Sequence, residues 1–535
     1  MGRQSTSASS DVGAPSLGAR DTVGQFGAAM QRHLTLEHQI ALEACLGCRQ
    51  CGTACAWYIE TQDEARHPLH RKQFVQKLYH RLVTLTGTLG CRLGVLQTPD
   101  EQELRAHMES FWKCTGCGRC TLACPLSLSN RAVFRLARTA YSECGMSAEN
   151  PTRHAIIENT RERGSSFGGS PEQTLLRLTF HLSVARTDVP LDREGAEYLL
   201  VAPTVDSEKF PAHVFRLFQV LNASRLDYTL SSRVMDLGTE IDHVVVDNEL
   251  SVSMIERVES EAERLGAKTL LIPECGCDVR TFYGDAPSIL GRALRVPVRW
   301  VDTVLLESIQ SGRLTLEHVH KRVTLHDPCQ ITRLSGMGAL IRQLIAEVAP
   351  DFIEMTPNGP QNYCCNGSSG PMRLPENTEL RRRVSALKAK QIEQTKAELV
   401  VSPCAVCTLT LNDICQVYGL AQKGQRKARM LYELVHEAVS QASTGTEAEQ
   451  RLQSPACTRG QAGDKYATTL MSWFDDLRNR PDYGGLYAWL LRDPSVVQAV
   501  EESRRAGLVL EEMAPERRFS VMVGPYLEGE STCSG

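Results

Sequence analysis

The chain has 535 residues, 20 of them cysteine, and a formal net charge of −4. Such a length allows about two to four domains, and the charge gives no global attraction to nucleic acid or to an anionic membrane. No apolar run reaches the roughly 20 residues that span a bilayer. Residues 1–25 lack the apolar segment and small-residue cleavage site of a secretory signal. The expected location is therefore cytoplasmic, with membrane association only through a partner subunit.

In chain order, residues 1–30 are rich in Ser, Gly and Ala and read as a disordered tail. Residues 31–150 hold the first cysteine clusters. Disulfides are rare in reducing compartments, so cysteines at short fixed spacings there point to metal. Two runs share the spacing C-x2-C-x2-C-x3-C. The first is Cys45, Cys48, Cys51 and Cys55; the second is Cys114, Cys117, Cys120 and Cys124, followed by Pro125. This is the bacterial two-cluster ferredoxin pattern, in which the fourth cysteine of each run serves the other cluster. The crossed sets are Cys45, Cys48, Cys51 and Cys124 for one cubane [4Fe–4S] cluster, and Cys55, Cys114, Cys117 and Cys120 for the other. Zinc knuckles are the alternative, although they pair CxxC units at longer separation. Helical periodicity between the runs makes this a mostly helical ferredoxin-type domain. Arg71, Lys72, Lys77, His80 and Arg81 form a basic helical stretch that reads as a solvated face, with an acidic docking partner as the alternative. Cys91 and Cys144 fit neither run and read as plain thiols.

Residues 151–195 read as a linker. From Glu197 the texture changes to short apolar strands followed by helices: a first α/β unit over 196–320 and a second over 321–440. Pro203 and Pro273 mark strand ends 70 residues apart, and Pro328 and Pro403 mark them 75 apart, a self-similarity that predicts two related units with parallel sheets. Cys329 is followed 35 residues later by Cys364 and Cys365, and then by Cys404 and Cys407. Each lies at a strand end or in a small-residue loop, where sites of open α/β sheets collect. Helix N-termini after Cys329 and Cys407 would place positive dipole ends there. His326 and Asp327 are candidate proton donors; a role in holding loop backbone is equally open.

The order Cys329, Cys364–Cys365, Cys404-x-x-Cys407 resembles the cysteine-rich "CCG" domain of the B and D subunits of heterodisulfide reductase. That domain also occurs in iron–sulfur subunits of glycolate, glycerol-3-phosphate and lactate oxidising systems. Ferredoxin domain first and cysteine-rich region second resembles the fused D-type subunit. The stretches CGTACAWYIETQDEARHPLHRK and ECGCDVR are similar to subunits of membrane complexes linked to dissimilatory sulfite reductase or cytochrome c networks. The resemblance implies that Cys329, Cys364, Cys365, Cys404 and Cys407 hold one non-cubane [4Fe–4S] cluster and form the catalytic site. Two departures stand out. Asn366 replaces the family's glycine, and the first unit has Thr204 where Cys329's counterpart belongs, with no Cys–Cys pair. Cys275 and Cys277 are then structural thiols or an incomplete remnant, with a substrate-facing or cluster-edge role as the alternative.

Residues 441–535 read as a polar linker and a helical tail. The expected fold class is α+β multidomain: a helical two-cluster ferredoxin domain, a duplicated α/β region and that tail. The expected function is an oxidoreductase subunit passing electrons through two cubanes to a site that acts on a disulfide, trisulfide or persulfide. The alternatives are an electron relay for a flavin-dependent glycolate, lactate or glycerol-3-phosphate type dehydrogenase, and a zinc-stabilised scaffold. No G-x-G-x-x-G follows a strand, so a flavin would need another chain. The implied partners are a membrane cytochrome b-type subunit or a soluble flavoprotein, with a sulfur-carrier protein or small disulfide as substrate and no nucleic acid.

Overall fold

A computed structural model describes residues 21–202, 204–273, 275–368, 370–442, 452–453, 469–477 and 479–505. Its N-terminal part is helical. Helices Thr22–His33, Pro68–Leu78, Glu101–Trp112 and Asn130–Glu143 bury Phe26, Val75, Leu104, Phe111, Trp112 and Tyr141 in one core. Apolar residues at positions 133, 134, 137, 140 and 141 of the last helix recur every three or four residues, which turns one stripe inward. Asp100 and Ser129 cap the two later helices through side-chain oxygens that accept Glu103 N–H and Ala132 N–H. The disordered tail expected over 1–30 is corrected for its described part: Thr22–His33 is a helix because Phe26, Ala29 and Met30 share a face that is fully buried.

The expected linker at 151–195 is likewise folded. Helices Pro151–Arg163 and Pro171–Val184 occupy it, and Leu175, Leu178 and Leu182 of the second enter the α/β core. The opposite side of that helix, Leu176 and Phe180, packs against Phe474, Leu477, Tyr487 and Leu490 from the C-terminal helices. Arg177 ties the two together through Asp493 at 2.7 Å. The rest of the tail, including Cys457, lies outside the described residues.

Two parallel four-stranded sheets follow. The first comprises β1 (Tyr198–Leu200), β2 (Tyr228–Thr229), β3 (Thr269–Ile272) and β4 (Val298–Trp300), in the order β2-β1-β3-β4. The second comprises β5 (Val323–Leu325), β6 (Phe352–Ile353), β7 (Leu399–Ser402) and β8 (Ala428–Met430), in the order β6-β5-β7-β8. β1 and β3 register Tyr198 with Thr269, as β5 and β7 register Val323 with Leu399. The central strands are buried along their whole length, as helices on both faces require. Strand order reverses between the two central strands of each sheet, so each sheet has a switch point where connecting loops part and leave a crevice. One apolar core runs through both sheets. Among the described residues no helix is long and apolar enough to cross a membrane.

Candidate metal centre

The eight ferredoxin-type cysteines divide between two cavities. Cys45, Cys48, Cys51 and Cys124 line one, with Lys72; Cys55, Cys114, Cys117 and Cys120 line the other, with Arg71 and Arg119. Tight left-handed turns make this possible: Gly116 and Gly118 have φ of +62° and +72°, a region open to glycine without steric cost. Burial pushes the Cys51 thiol up to about 11, with Cys45 and Cys124 adding to the rise and Lys72 opposing it. The basic stretch read as a solvated face is corrected here. Arg71 and Lys72 are 1% and 2% exposed, and Arg71 donates to the carbonyls of Ser110 and Arg66. Their charges face thiol groups, the arrangement that anionic thiolates need in a low-dielectric interior.

The five later cysteines lie at the switch point of the second sheet. Cys329 follows β5, Cys404 follows β7, and Cys364 and Cys365 come from the loop after β6. All five are buried. Cys365 Sγ lies 3.3 Å from Cys407 Sγ. Cys404 is the residue before helix Ala405–Val417 and Cys407 sits in its first turn, so the helix start expected after Cys407 comes three residues earlier. Asn366 fills the family's glycine position with φ +67°. Asparagine tolerates that conformation, and its side-chain amide donates to Val384 O and Ser385 Oγ. Its backbone N–H points at Cys364 Sγ, 3.3 Å away.

The two candidate proton donors separate. Asp327 accepts two hydrogen bonds from Arg342, at 2.9 and 3.0 Å, and one from Gly359 N–H at 2.7 Å. Burial pulls the other way, yet the Arg342 bonds hold its carboxyl below the ordinary range. It is a loop clamp, not a proton donor. His326 is fully buried and kept neutral by that burial. A ring nitrogen of it groups with the sulfurs of Cys365 and Cys407, all within 4.8 Å of one another, and Nε2 has no hydrogen-bond partner.

Neighbouring thiols join the two regions. Cys364 lines the same cavity as Cys55, Cys114, Cys117 and Cys120, and Cys365 Sγ lies 3.3 Å from Cys407 Sγ. Cys404 Sγ lies against Gly276, the residue between Cys275 and Cys277. Thiols thus run from the ferredoxin region, through the second sheet, to the end of β3 in the first. Gly276 allows the last approach: a Cβ there would lie 3.2 Å from Gln330 Cβ and 3.4 Å from Cys404 Sγ. Arg333 fixes the other end, donating to Cys117 O and Asn362 O at 2.6 and 2.7 Å, and Arg119 stacks 4.1 Å over the Tyr363 ring.

Several residues escaped the sequence reading. Lys388 is completely buried, donates to Asn362 Oδ1 at 2.7 Å, and is pulled down to about 7 by burial, with Cys365 and Cys364 opposing. His243 and Arg280 stand beside Cys277, and Arg280 ion-pairs with Asp242 at 2.8 Å. A hydrogen bond from Cys275, against the effect of burial and aided by His243, lowers the Cys277 thiol to about 5. None of these had a sequence signal, because each is set by contacts between segments 25 or more residues apart.

Soft thiolates alone, backed by buried cations, match the ligand preference of iron–sulfur clusters better than that of hard cations. Residues 41–128 match the family of 4Fe-4S dicluster domains, and residues 323–412 match the cysteine-rich domain family. The chain is 24% identical over 422 residues to an Hdr-like menaquinol oxidoreductase iron-sulfur subunit of Archaeoglobus profundus, covering 69% of this chain and 74% of that one. It is 22% identical over 399 residues to the D-type subunit of a dihydromethanophenazine:CoB--CoM heterodisulfide reductase of Methanosarcina barkeri, covering 71% and 91%. A probable membrane-anchored ferredoxin of Chromohalobacter salexigens is 25% identical over 438 residues, and this chain spans only 62% of its length. Both matched domains, in this order, and these relatives make the chain similar to heterodisulfide-reductase-like iron–sulfur subunits of the D type.

Proposed function

We propose that this chain carries electrons through two cubane [4Fe–4S] clusters, held by the crossed cysteine sets, to a non-cubane cluster held by Cys329, Cys364, Cys365, Cys404 and Cys407. There a disulfide, trisulfide or persulfide is reduced. The observation that carries this reading is that Cys364 lines the same cavity as Cys55, Cys114, Cys117 and Cys120, which puts a ligand of the reaction site beside the ligands of the second cubane. The two α/β units read as repeats, one of which kept the cluster ligands.

When bound, the five-cysteine cluster would supply one-electron steps and an iron site for a substrate sulfur. The chain's own residues do the rest. The five cysteines are held by loop backbone and by the Asp327–Arg342 clamp, so their geometry is set before any ligand arrives. Lys388 provides a buried positive charge beside Cys364 and Cys365 and, with a pKa near neutrality, a proton that can leave. Burial excludes bulk water from the sulfurs. Electrons would come from a partner, by the relatives' names a membrane subunit that oxidises a quinol-type donor.

The test is a single-turnover experiment on the full chain, reconstituted anaerobically and reduced with dithionite. Mixing with 2-hydroxyethyl disulfide should release thiol in step with cluster reoxidation. Reoxidation by artificial acceptors without any thiol release would leave the chain a relay and move the sulfur chemistry to another subunit.

A further inference from the structure

The first sheet's switch point holds a cavity that none of the five second-unit cysteines lines. Its thiols are Cys275 and Cys277, accompanied by His243, Asp278 and Ser368. A Cβ on Gly276, between the two, would lie 3.4 Å from Cys404 Sγ, so the pair stands between the cavity it lines and the proposed cluster site. Cys277 is further contacted by Ser368 Oγ at 3.7 Å and by the His243 ring. Arg280 Nη2 lies 2.5 Å from His243 Nδ1 and 2.9 Å from Nε2, which fixes the ring beside the pair, with Nε2 3.4 Å from the Cys277 carbonyl oxygen.

We infer that Cys275 and Cys277 form a redox-active dithiol that exchanges with the sulfur substrate and is then recharged with electrons from the second unit. This rests on the cluster reading above for the supply of those electrons. In the first step the Cys277 thiolate attacks one sulfur of R–S–S–R′. A Cys277–S–S–R bond forms, the substrate S–S bond breaks, and R′–S⁻ takes up the proton Cys277 gave up. In the second, Cys275 attacks the Cys277 sulfur, closing a Cys275–Cys277 disulfide and releasing R–SH. The substrate has gained two electrons and two protons, and the pair has lost them. Two electrons delivered one at a time by the iron–sulfur chain through Cys404's side, with two protons, restore the dithiol. Ser368 Oγ and the His243 ring flank the attacking sulfur.

One tryptic peptide, Thr269 to Arg280, carries both thiols, which makes the test direct. The anaerobic holoprotein is treated with 2-hydroxyethyl disulfide, quenched with an alkylating agent in denaturant, and digested. The peptide should return unalkylated and two hydrogens lighter, and doubly alkylated after dithionite. In Cys275→Ser, the hydroxyethyl thiol should be trapped on Cys277. In Cys277→Ser, iron content should hold while thiol release falls at least about tenfold. The inference is overturned by a peptide that is doubly alkylated throughout turnover, or by a mixed disulfide found on Cys404 or Cys407 instead. Loss of iron from the five-cysteine site with the peptide still oxidised would sink the cluster reading and spare the dithiol.

Discussion

The two sheets share a strand order and a switch point, yet their crevices are lined by different groups. In the second, five cysteines are backed by Lys388, and Arg342 neutralises Asp327. In the first, the position of Cys329's counterpart is Thr204, whose hydroxyl donates to buried Asp236 at 3.2 Å. Asp278 accepts from Thr239, and burial raises both carboxyls above their ordinary range. An anion added beside such buried acids would have to hold them protonated, whereas cations at the crevice favour an anionic cluster directly. Topology supplies the place; the buried charges around it decide what it can hold.

This contrast can be broken or sharpened at several points. The largest effect belongs to Cys114→Ser, which should remove one cubane and abolish electron delivery from dithionite to the second unit. Iron at the five-cysteine site should remain, because the α/β region has a core separate from that of the ferredoxin part; loss of all iron would show the two regions to be one cooperative unit. Next comes Asp302, buried at the start of helix Val301–Gln310 in the first unit and held at about 8 by burial alone. Its unfolded value is about 4, so the fold binds a proton that the unfolded chain has lost. Stability should fall as pH rises from about 4 to 8 and then level off. Asp302→Asn should flatten that slope and stabilise the chain at pH 8 by about 2 kcal/mol or more in chemical denaturation. Gly276→Ala should cost about 1–3 kcal/mol, since its methyl would press on Gln330 and Cys404, and should weaken iron retention at the second unit. An unchanged iron count in that variant would mean that the first unit does not brace the second. Smallest is Asn366: Asn366→Ala should cost about 1–2 kcal/mol for an unfavourable left-handed residue, while Asn366→Gly should recover most of it. Equal losses in both would assign the residue's value to its amide hydrogen bonds instead.

The parts legible in the sequence were those written in local spacing. Eight cysteines in two identical runs announce their ligand type, and the strand ends before Cys329 and Cys404 are plain from short apolar runs closed by Pro328 and Pro403. Contacts across the chain were not legible. Arg71 and Lys72 look like any charged helical pair until helix Pro68–Leu78 is laid between the two thiol cavities. Lys388 sits in a run of charged and polar residues that gives no hint of full burial, and His243 becomes a neighbour of Cys277 only when Ile241–Val245 packs beside the end of β3. Residues 151–195 escaped because a helix buried on two sides by different partners shows no single apolar stripe.

The central claim is that the second crevice, and not the first, holds a cluster in electronic contact with the dicluster region. It is tested most directly by iron and acid-labile sulfide analysis, with electron paramagnetic resonance, on anaerobically reconstituted wild type and Cys365→Ser. The account predicts about 12 iron atoms per chain in the wild type and about 8 in the variant, with both cubane signals intact in each. About 8 iron atoms in both proteins, or an unchanged count in the variant, would contradict it.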